Sequence, residues 1–162
     1  MKKLISALFI AALLSSCGGD SKPAATSSSE TSNTSTTPAT EVAEVEEEYD
    51  VMKDKGIGPV ESIFLGKLKE DLAAQGKEEF KAKCSACHKA EKRFVGPEMA
   101  GILERRTPEW VMNMILNPEE MLEKDPLAKA LFMEFNGQLM TNQQVTQEEA
   151  RAMLEYFRTL DP

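Results

Sequence analysis

Hydrophobic positions along the chain fall into stretches of contrasting character. Residues 4–14 are almost continuously apolar, broken only by Ser6, and they follow Lys2 and Lys3. Residues 18–40 carry no aromatic or large aliphatic side chain and consist mostly of Ser, Thr, Ala, Pro and Gly. Residues 41–50 add an acidic run with Glu46-Glu47-Glu48 at its centre. Apolar positions return at Ile57, Val60, Ile63, Phe64, Leu65 and Leu68, too many for a free linker, around a Gly56-Ile57-Gly58-Pro59 turn signal. Helix punctuation dominates further on. Thr107 followed by Pro108 predicts a capped helix over Pro108–Leu116. Asp125 and Gly137 bracket a helix predicted over 126–135. Thr146-Gln147-Glu148-Glu149 is a capping box that opens a last helix.

The N-terminal run is too short to span a bilayer, and its basic flank makes it a secretory signal peptide over residues 1–16. It ends in Leu14-Ser15-Ser16-Cys17, which resembles the lipobox of bacterial lipoproteins. That resemblance implies a lipidated Cys17 at the start of the mature chain, a membrane partner reached through the lipid, and a periplasmic location. A plain signal peptide with a chance cysteine is the competing reading. Residues 17–50 then read as a disordered tether, because nothing in them buries enough surface to offset chain entropy. Its 33 residues from Gly18 carry two Asp and six Glu against one Lys. They would span roughly 30 Å as a coil. Residues 51–70 read as an extension packed on a domain formed by residues 71–162.

Composition narrows the function. The chain has 19 Lys+Arg against 27 Asp+Glu, a net charge of −8. No basic face for nucleic acid is expected. One His excludes multi-histidine metal sites, and 6% aromatic residues exclude a large aromatic core. With no second long apolar run, no internal membrane-spanning helix is expected.

The decisive motif is Cys84-Ser85-Ala86-Cys87-His88. C-x-x-C-H is the attachment signature of c-type haem. The thiols of Cys84 and Cys87 add to the two vinyl groups, and His88 supplies the proximal iron ligand. A thioredoxin-like C-x-x-C wants a βαβ context, whereas the flanks here read helical. A zinc site wants more ligands than remain. With Cys17 lipidated and the other two on haem, no cysteine is left for a disulfide.

Around this motif the chain resembles class I, mitochondrial-type monohaem cytochromes c, from about residue 71 to residue 160. Gly76 and Phe80 precede the first haem cysteine as G-x-x-x-F-x-x-x-C-x-x-C-H. Met153-Leu154-Glu155-Tyr156 fits the C-terminal L-x-x-Y pattern with Met for Leu, and Val95-Gly96-Pro97 matches the segment after the haem motif. The resemblance implies an all-α cytochrome c fold of three to five helices around one covalent haem c. It implies that the first and last helices cross at Gly76 and Phe80. The Pro97 carbonyl is then expected to accept a hydrogen bond from the His88 imidazole, fixing the ring.

Seven methionines follow His88, most of them expected in the core. Met140 lies between Gly137 and the last helix, where the family places its axial methionine. It is the expected sixth ligand, with Met133 and Met121 as the other candidates. Thr141 stands where the family usually has Pro, so a less rigid ligand loop is expected. The resemblance also places Trp110 beside the haem with its N–H toward a propionate. Arg105 and Arg106 are candidate propionate partners; solvated arginines and a core tryptophan are the bland alternative. From Lys77 to Arg93 the local charge is +3, either a rim for an acidic redox partner or a solvated helix face.

The expected function is one-electron transfer by a monomer, without catalysis. The expected partners are a quinol-oxidising complex and a terminal reductase or oxidase. Gly56-Ile57-Gly58-Pro59 and the segment from Arg105 to Trp110 resemble small cytochromes associated with anaerobic respiratory reductases, nitrous oxide reductase among them. A ligand sensor or peroxidase-like protein is the alternative and requires a labile sixth site.

Overall fold

A computed structural model describes residues 50–160; the signal peptide, Cys17 and nearly all of the tether lie outside the described residues. The described residues form six helices: α1 (Glu70–Lys83), α2 (Ile102–Arg105), α3 (Pro108–Leu116), α4 (Pro118–Lys124), α5 (Pro126–Glu134) and α6 (Gln147–Arg158). None of them is long and apolar enough to cross a membrane.

The helix boundaries follow local chemistry. Three consecutive helices, α3, α4 and α5, start with Pro at the first position, where the missing N–H is no loss. Thr107 accepts the Trp110 N–H at 3.1 Å, and Asp125 accepts the Ala128 N–H at 2.7 Å. The capping box on α6 is complete, with Glu149 N–H to Thr146 Oγ1 at 3.2 Å and Thr146 N–H to Glu149 Oε2 at 2.8 Å. Helix α5 stops one residue short of the sequence expectation. Asn136 takes the left-handed turn at φ 56°, and Gly137 N–H returns to the Phe132 carbonyl at 2.8 Å.

The helix number exceeds the three to five expected from sequence. Two elements account for it. Pro118 restarts the chain after Asn117 and separates α4 from α3, and α2 is a single short turn entered from Gly101 at φ 66°. Neither has a hydrophobic repeat long enough to announce itself.

The core is the crossing of α1 with α6. A Cβ on Gly76 would lie 2.0 Å from the Ala152 carbonyl oxygen, so only a residue without one allows the two backbones to approach. Phe80 packs one helical turn further on, with ring centroids 5.6 Å from Tyr156 and 5.7 Å from Phe157. Ala150, Met153 and Leu154 on α6 are fully buried. So is Glu155, which is held between Arg151 at 2.6 Å and Arg158 at 2.7 Å. Burial works against its charge, but the two guanidiniums prevail and hold the carboxyl below its ordinary value.

Residues 51–69 form no helix yet are stitched to α3. Asn113 is the hub. Its Oδ1 accepts the Val60 N–H at 2.9 Å, while its Nδ2 donates to the carbonyls of Lys55 and Val60, both at 2.9 Å. Glu109 accepts the Ile63 N–H at 2.8 Å, and the Met121 sulfur accepts the Ile57 N–H at 2.9 Å. A Cβ on Gly58 would meet Asn113 Oδ1 at 2.4 Å, so the strap lies flat on the helix only with glycine there.

Replacing Gly76 by Ala tests the crossing. Helix propensity alone would favour Ala by roughly 0.5–1 kcal/mol. A 2.0 Å approach to backbone cannot be relieved by a rotamer, so the clash should win. A net loss of about 1–3 kcal/mol is expected in thermal unfolding of the holoprotein.

Candidate functional site

A cleft opens between the helices, and its lining is mainly apolar. Its walls come from every helix. Phe80 and Phe157 form the floor at the α1–α6 crossing. Trp110, Val111, Met114 and Ile115 of α3 line one side, and Leu122, Ala128, Leu131 and Phe132 of α4 and α5 another.

Cys84, Cys87 and His88 border the cleft directly off the end of α1. The helix continues into the motif as a tight turn, with the N–H groups of Cys87 and His88 bonding the Cys84 carbonyl at 3.1 and 2.9 Å. Both thiols are free; Cys87 is exposed and Cys84 half-buried. Burial pushes the Cys84 thiol up to about 11.

His88 is oriented from behind. Its Nδ1 lies 3.0 Å from the Pro97 carbonyl oxygen. A carbonyl only accepts, so Nδ1 carries the proton and Nε2 keeps its lone pair for a metal. Burial pulls the imidazole below its ordinary value, against the hydrogen bond to Pro97, so the neutral, ligating form is favoured. Gly96 makes the stacking possible. A Cβ there would sit 2.5 Å from His88 Cε1. The Gly96 N–H in turn bonds the Cys87 carbonyl at 2.9 Å, tying the loop back to the motif.

These features fit a covalently attached macrocycle: two free thiols and a fixed imidazole on the rim of an apolar cleft. Comparison with known proteins decides the matter. A family model described as cytochrome c matches residues 73–161. The chain belongs to the cytochrome c family. It is similar to a cytochrome c from Rhodothermus marinus, at 36% identity and a TM-score of 0.61, over 76% of this chain and 96% of that one. An engineered form of that cytochrome, bound to a carbene intermediate, is similar at 35% identity and a TM-score of 0.59, over the same shares. A search of curated proteins gives no match. The domain therefore binds one haem c, and its role is haem-based electron transfer.

The structure sorts the other sequence candidates. Met140 borders the cleft, whereas Met133 is exposed and Met121 is buried behind the wall against the strap. Met99 and Met114 also border it. The sequence put Met114 on a helix but gave no sign that it faced the cleft. Trp110 lines the cleft too, and its indole N–H donates to Asp125 Oδ1 at 3.2 Å. Arg105 and Arg106 do not border it. Arg105 bonds the carbonyls of Ala100 and Glu98, and Arg106 is buried with its guanidinium 5.4 Å from the Trp110 ring centre. Only Arg106 is drawn inward, against an aromatic face, while Arg105 stays exposed and is held by backbone carbonyls.

The basic rim is partly neutralised across elements. Lys83 pairs with Glu149 at 2.6 Å, and Arg93 pairs with Glu134. These two partners bring the local balance from +3 to +1.

Because the cleft is the haem's share of the core, the polypeptide should not hold its fold without it. A Cys84→Ala/Cys87→Ala variant is expected to lose most of its far-ultraviolet helical signal. Native helicity in that variant would show that the protein core suffices.

Proposed function

We propose that this cytochrome is a lipid-anchored, periplasmic one-electron carrier whose iron is held by His88 and Met140. The observation that carries the reading is that both side chains border one apolar cleft, one beside the thiols and one from the 136–146 segment, 52 positions downstream. His88 is fixed through Nδ1 and presents Nε2. Met140 sits on a segment free of helix, bounded by the α5 terminus and the α6 capping box. Methionine raises the reduction potential by favouring the ferrous state. Two permanent protein ligands leave little to rearrange when an electron arrives or departs.

Docking rests on the rim of the motif. Lys77, Lys81 and Lys92 are exposed, and Lys89 lies 4.7 Å over the exposed Phe94 ring. A positive edge on an otherwise acidic protein suits an acidic patch on a donor or acceptor and speeds encounter at low salt. Cys17 and the tether keep the domain near the membrane and raise its effective concentration there. Partners in this setting are a quinol-oxidising complex and a terminal reductase or oxidase, nitrous oxide reductase being one.

Substitution tests the ligand. Ferric methionine-ligated haem c shows a weak far-red charge-transfer band. That band is expected to vanish in Met140→Ala and to persist in Met133→Ala and Met114→Ala. Loss in Met114→Ala alone would move the ligand to α3. An absent band in the unmodified protein would turn the reading toward a ligand-binding or peroxidase-like haem. Membrane fractionation tests the anchor: Cys17→Ser should release the red protein into the soluble periplasmic fraction.

A further inference from the structure

The strap carries an apolar surface that its own domain leaves uncovered. Phe64 is the most exposed large apolar side chain among the described residues, at 90%, and Leu68 is 41% exposed. Both neighbours of Phe64 face the other way: Ile63 and Leu65 pack against the core. Seating those two inward turns the ring between them outward.

That outward position is fixed. Glu109 on α3 accepts the Ile63 N–H at 2.8 Å, and Arg158 on α6 donates from Nη2 to the Gly66 carbonyl at 2.9 Å. The backbone is therefore pinned on both sides of Phe64. An exposed phenylalanine on a pinned backbone is poorly accommodated by water and loses little freedom when something covers it.

Charge narrows what can cover it. Lys67 and Lys69 are exposed on either side of Leu68, Glu61 is exposed three positions before Phe64, and Glu70 and Asp71 open α1. Two cations against three carboxylates leave no net charge that would attract an acidic or a basic protein surface strongly. The occupant is selected by apolarity. Lysine stems lie along apolar matter while their amines stay in water. An aromatic tip with lysines near its base suits the boundary between lipid headgroups and acyl chains.

Chain connectivity brings that boundary close. The 33 residues from Gly18 to Asp50 read as a tether between Cys17 and the strap. A coil of that length spans roughly 30 Å. Phe64 follows only fourteen positions after Asp50. Two apolar side chains are too few to hold a free protein on a bilayer. Linkage makes the encounter intramolecular, with an effective concentration on the order of millimolar. We propose that Phe64 and Leu68 enter the acyl boundary of the membrane that holds Cys17, so that the strap is a second, orienting membrane contact. The proposal rests on the lipid-anchor reading of Cys17. No strap residue lines the cleft, so lipid on the strap leaves Cys87 and Leu139 at the cleft open to a redox partner.

Lipid photo-crosslinking tests this on the mature lipidated holoprotein. The protein is reconstituted into phosphatidylcholine vesicles holding a trace of phosphatidylcholine with a photoactivatable acyl chain, floated, illuminated and digested with trypsin. The peptide from Gly56 to Lys67 contains Phe64, and that from Ala130 to Arg151 contains the exposed Leu139 as an internal rival. Adducts are expected on the first peptide at about threefold or more the yield on the second. Phe64→Ser combined with Leu68→Ser should bring the two yields level, and Phe64→Leu should keep most of the difference. The haem spectrum verifies that each variant is folded. Partial replacement of the lipid by phosphatidylglycerol should leave the ratio unchanged; a ratio that requires the anionic lipid would assign the contact to the lysines and overturn the proposal. Floating protein with equal yields, or with more adducts on the second peptide, keeps the anchor and overturns the strap contact alone. Protein that fails to float removes the anchor, and the strap contact falls with it. A strap unlabelled in vesicles but shielded in native membranes would give Phe64 to a protein partner and overturn the proposal as well.

Discussion

The close approach of α1 to α6 at Gly76 is the contact from which the rest of the domain takes its geometry. The Cys84 to His88 motif runs directly off the end of α1, so the crossing determines where the thiols and the imidazole stand. Phe80 and Phe157, one from each helix, form the cleft floor at the same place. Lys83 at the end of α1 reaches Glu149, the capping-box acid of α6, and closes the far side of the crossing. Backbone-to-backbone contact does not stretch as side-chain packing does, and interiors transmit small displacements. A shift at Gly76 therefore becomes a shift of His88 relative to the wall that faces it.

The second constraint is the strap. A domain of this size has a poor surface-to-volume ratio, and part of its interior is given over to a cofactor. Residues 51–69 compensate by covering the outer face of α3. Asn113 does this with three bonds from its amide to backbone, while Val60 enters the core beside it. A buried polar side chain that satisfies three backbone groups both anchors and specifies, since no apolar substitute could hold the strap in register. The cleft wall made by α3 is thus fixed from outside as well as from within.

The chemistry was more legible in the chain than the architecture. Local spacing alone identifies Cys84, Cys87 and His88, because the chemistry needs its ligands adjacent. Gly76, Phe80 and the capping box were likewise readable, since each is a short pattern with one physical meaning. Pro97 was foreseen through resemblance, and its bond to His88 stands at 3.0 Å. The bonds from Asn113 to the strap and from the Trp110 indole to Asp125 were not foreseen, because they join residues 15 to 58 positions apart and carry no pattern. Arg105 and Arg106 look like propionate partners by proximity to Trp110; only the folded chain shows their guanidiniums held by carbonyls and an aromatic face. The extra helices α2 and α4 are too short for periodicity to reveal.

An apolar cleft also has an electrical consequence. Its polar lining is limited to a few groups at the rim, among them Lys83, Gln138, Thr141 and Gln143, while the deep walls are aliphatic and aromatic. Such walls solvate an added positive charge poorly, so they disfavour the ferric state relative to water. The cationic Lys83 on the rim acts in the same direction, although its pairing with Glu149 blunts it. Anionic groups work the other way, and an acidic chain has many, yet most are at the surface, where salt screens them. Those that retain influence are the buried ones closest to the cleft. Asp125 is such a group: it is 2% exposed and accepts the Trp110 indole N–H at 3.2 Å.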